Sequence, residues 1–135
     1  LACHLLGLEH EAALAHSPFL GPVYEGFVAS ELVKRQVNAG RRRELYYFRD
    51  QQGLEVDFLV PMGERRLRLI EVKASRTVTP AAAVPLGRLG AAIPKTYALD
   101  KRVVYWRAPG GASSLPTLAP GVRAVGLEGL LSEQT

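Results

Sequence analysis

A chain of 135 residues, 47% hydrophobic and 22% charged, has the material for one ordinary globular domain and is neither disordered nor fibrous. A lone cysteine excludes an intrachain disulfide and a cysteine-built zinc site, and apolar runs of only a few residues exclude a membrane-spanning helix. The net charge of +4, carried mostly by arginine, leaves two explanations open: phosphate recognition and a compositional bias without functional content.

Residues 1–17 read as helical, with Leu1, Leu5 and Leu8 on one stripe and a second short helix over Glu9–Ala15. His4, His10 and His16 stand six apart, the wrong spacing for two ligands on one helical turn, and read as surface or packing residues. Ser17-Pro18 and Gly21-Pro22 mark a loop. The next helix is expected over Pro22–Asn38, with proline in its first turn and Asn38-Ala39-Gly40 as its stop. Tyr24, Phe27, Val28 and Leu32 form its apolar stripe. Glu25 projects with or beside that stripe, where an acid is costly unless something balances it. The helix dipole is one such balance; a shared site with other acids is another. Glu31 is expected to pair with Lys34 or Arg35.

Arg41-Arg42-Arg43 falls in a loop and reads as a solvated turn or as phosphate contacts. Leu45–Arg49 is aromatic and strand-prone, and Asp50-Gln51-Gln52-Gly53 turns the chain. Two runs then alternate apolar and polar residues with period two: Leu54-Glu-Val-Asp-Phe-Leu-Val60 and Leu67-Arg-Leu-Ile-Glu-Val-Lys73. Pro61-Met62-Gly63-Glu64 joins them as a turn. A hairpin about Gly63-Glu64 places Asp57 opposite Glu71 and Glu55 opposite Lys73. All four then share one sheet face, and Val56, Phe58, Ile70 and Val72 share the other. Opposed carboxylates repel, so a raised pKa or a cation must relieve them. Two readings stand. One is a hard-oxygen site beside Lys73, suited to Mg²⁺ or Mn²⁺ rather than zinc. The other is a cross-strand Glu55–Lys73 salt bridge with Asp57 and Glu71 merely near the rim.

Further on, Thr79-Pro80 opens a helix to about Ile93, weakened by Pro85 and two glycines and hence broken or short. Lys101–Arg107 is a strand, its Trp106 open to a core role or to stacking on a base. Ala108–Pro120 is a loop rich in Gly, Pro and Ser, Val122–Val125 a short last strand, and Leu127–Ser132 a terminal helical turn. The order of helix, three-strand meander, helix and strand predicts an α/β fold with a mixed sheet flanked by helices.

Asp57 followed by Glu71-Val72-Lys73 resembles the Asp…Glu-x-Lys signature of the PD-(D/E)XK nuclease superfamily. With Gly21–Val28, Glu31-Leu32, Leu45–Asp50 and Gly53–Phe58 in order before it, the chain is similar to the C-terminal domain of bacterial and archaeal AAA-type ATPases, a domain of unknown function with a nuclease-like fold. Leu1–Leu8 looks like the start of that domain. The resemblance implies a restriction-endonuclease-like core, and one domain over 1–135 with 1–20 as its helical extension. It further implies a longer chain with an ATPase upstream; no phosphate-binding Gly-x-x-x-x-Gly-Lys motif lies in these residues.

It also implies catalysis by Asp57, Glu71 and Lys73. Asp57, Glu71 and Glu25 would hold Mg²⁺ or Mn²⁺, and Glu55, Ser75 and Arg76 would lie behind them or face phosphate. The expected activity is phosphodiester hydrolysis of DNA. The alternative is a non-catalytic DNA-binding or docking module on the same fold. Val56 stands before Asp57 where the superfamily often has proline. A cytoplasmic setting is expected from the single cysteine, and a homo-oligomer is left open. No Gly-x-Ser-x-Gly elbow points to another hydrolase.

Overall fold

A computed structural model describes residues 20–106 and 117–132. The expected helices of residues 1–17, the three histidines, Cys3, Arg107 and most of the Gly/Pro/Ser-rich loop lie outside the described residues. The chain runs α1 (Leu20–Asn38), β1 (Tyr46–Arg49), β2 (Glu55–Pro61), β3 (Arg66–Lys73), a 3-10 turn (Pro80–Ala83), α2 (Val84–Ala92), β4 (Ala98–Tyr105), β5 (Thr117–Ala119), β6 (Val122–Gly126) and α3 (Leu127–Ser132). The strands form one six-stranded sheet in the order β1-β2-β3-β4-β6-β5. The expected meander β1-β2-β3 is antiparallel, β3-β4-β6 is parallel, and β5 closes the far edge antiparallel to β6. The fold is therefore mixed α/β, with helices against both faces of the sheet.

Alternation along the strands feeds two apolar layers. Val56, Leu69, Val103 and Val122 pack with Ala82, Ala83, Leu86 and Leu89 on the α2 side. Phe58, Val60, Ile70, Val104 and Val125 pack with Val28, Leu32 and Leu130 of α1 and α3 on the other. Each layer holds several fully buried branched residues, each contributing roughly 1.5–3 kcal/mol by leaving water.

Local chemistry sets the joints. Helix α1 begins at Leu20, two residues before expected, and stops on a Schellman motif. The Gly40 N–H donates to the Val37 carbonyl and the Arg41 N–H to the Gln36 carbonyl, with Gly40 at φ +70°, a left-handed position that glycine takes without strain. Gln36, buried on α1, then grips the backbone of Glu44: its Nε2 donates to the Glu44 carbonyl and its Oε1 accepts from the Glu44 N–H, both at 3.0 Å. The Asp50 turn closes as expected, its Oδ1 accepting from the N–H groups of Gln52 and Leu54.

Several expectations need correction. Phe27 lies 52% exposed, so the buried stripe of α1 is Val28, Leu32 and Gln36. Thr79 makes no side-chain cap; Pro80 and Pro85 instead divide the segment into a 3-10 turn and a nine-residue helix. Strand β4 starts at Ala98 rather than Lys101 and ends at Tyr105, and Thr117–Ala119, expected as loop, is a strand. Val56 faces α2 while Phe58 faces α1, so the two do not share a face.

The cause of that last difference is a β-bulge. Tyr46 pairs with Leu59 and Phe48 with Val56, so Tyr47 of β1 faces two residues of β2, Asp57 and Phe58. A bulge of this kind re-aims side chains and strengthens local twist.

Candidate active site

The bulge sets the position of Asp57. Pairing between β2 and β3 follows the expected register, from Pro61 opposite Leu67 to Phe58 opposite Ile70. Beyond Phe58 the Asp57 side chain takes over: its Oδ2 accepts the Val72 N–H at 2.7 Å. Asp57 is thereby fixed to the strand that carries Glu71 and Lys73.

Glu71 is buried at 8% exposure. Its Oε1 lies 3.5 Å from the Lys73 Nζ, and its Oε2 is buried without a hydrogen-bond partner. Burial, and then the Asp57 charge beside it, push the Glu71 carboxyl up from 4.5 to about 7 against the pull of Lys73. Burial also raises Asp57, opposed by the Val72 N–H and by Lys73. Glu25, half-buried on α1, is raised by burial and by the charges of Asp57 and Glu55. Asp57 and Glu71 thus resist ionisation side by side, with Glu25 within reach of the Asp57 charge. A cation entering beside Asp57 and Glu71 would relieve both.

The corner lies at the carboxyl ends of the parallel strands β3 and β4, the usual place for ligands in open α/β sheets. Helix α1 is held over it by Tyr24. The Tyr24 hydroxyl donates to the Tyr105 carbonyl at 3.1 Å, its ring stacks on Trp106 with centroids 5.9 Å apart, and burial pushes its pKa up to about 12. Trp106 is thus engaged within the fold. From Lys73 an open cleft of about 430 Å³ runs over Ala74, Ser75, Thr77, Val78 and Thr79 to Ala81 and Ala82.

The remaining expected residues are placed less centrally. Ser75 lines the cleft, but its Oγ is taken up by the backbone of Thr77. Arg76 is exposed beside the cleft and does not line it. Glu55 pairs with Arg49 at 3.1 Å, so the expected Glu55–Lys73 bridge is replaced by Glu55–Arg49 and Glu71–Lys73. Glu31 pairs with Lys34 at 3.1 Å, as expected.

Asp57 and Glu71 come together with Lys73, whereas Glu25, on α1, meets this group through the charges of Asp57 and Glu55. Among the described residues no group of three Asp, Glu, His or Cys side chains is close enough to hold a metal ion. Two carboxylates nevertheless suit Mg²⁺, which keeps several waters and is commonly held by one or two carboxylates and a substrate phosphate. The buried, partnerless Oε2 of Glu71 is the kind of atom such an ion satisfies.

A family model described as a domain of unknown function, DUF4143, matches residues 20–105, more than half of the chain. The chain belongs to the DUF4143 family. The match opens with α1 and closes with β4, so the DUF4143 region includes Glu25, Asp57, Glu71 and Lys73. Neither a curated protein nor a solved structure gives a match to the chain. Among the described residues of this DUF4143 chain, no helix is long and apolar enough to cross a membrane.

Two features escaped the sequence reading. The first is the bulge at Asp57, for which a run of alternating residues carries no signal. The second is an ionic cluster at the other end of β3: Asp100 bridges Arg68 and Arg102, each contact 2.6 Å, with both arginines buried. Its signal was present, because Arg68 alternates with leucines and shares a face with Ile70.

Proposed function

We propose that the Asp57–Glu71–Lys73 corner hydrolyses a phosphodiester of DNA with Mg²⁺ or Mn²⁺, as the resemblance to PD-(D/E)XK nucleases implies, and that the domain works alongside an AAA-type ATPase. The observation that carries the reading is the neighbouring pair Asp57 and Glu71, with one buried Glu71 oxygen lacking a partner and a lysine at 3.5 Å. A divalent ion bound there would lower the pKa of a water and neutralise charge on the phosphate. Asp57 and Glu71 would hold that ion, Asp57 being oriented by its bond to the Val72 N–H. Lys73, half-exposed at the mouth of the cleft, would donate to a phosphate oxygen or orient the attacking water. Glu25 would act through its field on Asp57 rather than as a ligand.

Incubation of plasmid and linear DNA with the domain in Mg²⁺ or Mn²⁺ tests the reading. Cleavage that disappears in Lys73→Ala and Asp57→Asn supports it; cleavage surviving in both comes from elsewhere. The second reading is a non-catalytic binding or docking module, favoured by the absence among the described residues of a three-acid metal group. Thermal shift with Mg²⁺ and Mn²⁺ separates the two: stabilisation that vanishes in Asp57→Asn speaks for the first, and no metal response speaks for the second.

A further inference from the structure

One surface is unused by this reading: the open edge of the sheet at β1. Strand β1 pairs only with β2, and Tyr46 and Tyr47 on it are 55% and 56% exposed. Neighbouring strand residues point to opposite faces, so the two rings flank the edge, one on each side. Arg41, Arg42 and Arg43, all exposed, precede them. Among the described residues none of the three joins an ion pair.

Their loop is pinned at both ends. The Schellman bonds hold Gly40 and Arg41 to α1, and the buried Gln36 amide grips Glu44 twice. A charge run held in this way keeps its shape when a ligand arrives, which lowers the ordering cost of binding. Glu44 is the one acid in the run. Arg49, at the far end of β1, is shared with Glu55 at 3.1 Å. Tyr47 faces the bulge containing Asp57, so the edge leads to the acid corner within about two strand spacings, roughly 10 Å.

We propose that this edge binds single-stranded nucleic acid, with bases stacked on Tyr46 and Tyr47 and phosphates on Arg41, Arg42 and Arg43, and delivers it to the Asp57–Glu71 corner. The inference rests on the proposed phosphodiester site, because it names the form in which the substrate arrives. Paired arginine and tyrosine are the two components of sequence-tolerant single-strand binding. A duplex buries its base faces and offers the rings nothing to stack on. A protein strand added to the edge is disfavoured, since a four-residue strand with a bulge beside it and arginines before it is built to deter strand pairing.

Fluorescence anisotropy tests this in EDTA, with a labelled 20-nucleotide oligothymidine and a duplex of equal length. Single strand binds more tightly than duplex in the wild type. Tyr46→Thr/Tyr47→Thr, which keeps strand-prone residues, weakens single-strand binding about tenfold or more and leaves duplex binding unchanged; Tyr46→Phe/Tyr47→Phe restores it. Arg41→Ala/Arg42→Ala/Arg43→Ala lowers the slope of log affinity against log salt by about 2, whereas Arg88→Ala, an exposed arginine on α2, does not change it. Equal affinity for single strand and duplex, an unchanged salt slope, or self-association lost in the tyrosine variant without oligothymidine binding overturns the proposal.

Cleavage is scored separately. A wild type that binds in this way but never cleaves keeps the edge and removes the hydrolytic reading. Cleavage of single strands with unchanged KM in the tyrosine and arginine variants removes the edge and keeps hydrolysis.

Discussion

Replacing Glu71 by glutamine removes a charge that the fold resists. In the folded chain Glu71 keeps its proton up to about pH 7, against an ordinary 4.5. Its contribution to stability is therefore fully present below pH 4.5 and is lost as pH rises through about 7. At 1.36 kcal/mol per pKa unit, the gap amounts to about 3 kcal/mol, and the residue is buried enough that solvent screens little of it. Wild type should thus lose about 3 kcal/mol through this group between about pH 4.5 and pH 8.5. Glu71→Gln, nearly the same shape and never charged, should match wild type near pH 4 and exceed it by about 3 kcal/mol near pH 8.5. Urea unfolding at both pH values in EDTA measures the difference. A variant equally destabilised at both, or a wild type whose stability is flat across the interval, would refute the account of Glu71 as a buried acid crowded by Asp57.

Asp57→Ala should cost about 1–3 kcal/mol, because it strips the acceptor from the Val72 N–H, whereas Asp57→Asn keeps an oxygen there and should cost less; denaturant melts and faster hydrogen exchange at Val72 check this. Asp100→Ala removes the carboxylate shared by Arg68 and Arg102 and should cost about 3–5 kcal/mol in the same melts. Burial alone would raise the Asp100 pKa, but hydrogen bonds and charges from Arg102 and Arg68 outweigh it and hold it below 3.8. That stabilisation is present above 3.8 and fades as pH falls through the depressed value, so the Asp100→Ala penalty should shrink in strong acid. Gly40→Ala forces a side chain into the left-handed region and should cost about 1–2 kcal/mol, read as a lower thermal midpoint.

The sheet was legible where alternation was strong. Leu54–Val60 and Leu67–Lys73 announce themselves by period two, and the turn at Gly63 set the pairing of Phe58–Pro61 with Leu67–Ile70, while the bulge beyond Phe58 broke the expected pairing of Glu55 with Lys73. The stop of α1 was legible because Asn38-Ala39-Gly40 is turn chemistry. Phe27 was misjudged because a helical stripe has ambiguous margins, and exposure there depends on what packs against it. Thr117–Ala119 was missed because a three-residue edge strand takes its conformation from its partner β6, not from its own sequence. At the site, Asp57, Glu71 and Lys73 came together because strand pairing is local. The distance of Glu25 from Glu71 depends on how α1 lies across the sheet, a tertiary matter that no spacing encodes.

Strand β3 carries different electrostatic loads at its two ends: the ion-paired Arg68–Asp100–Arg102 rivet at one and, at the other, Glu71, crowded by Asp57 of β2 and with one carboxylate oxygen lacking a partner. Cohesion and the proposed reactivity are therefore segregated along a single eight-residue segment. Evolution could rewrite the chemistry at the carboxyl end without loosening the scaffold, so relatives sharing this architecture need not share a reaction.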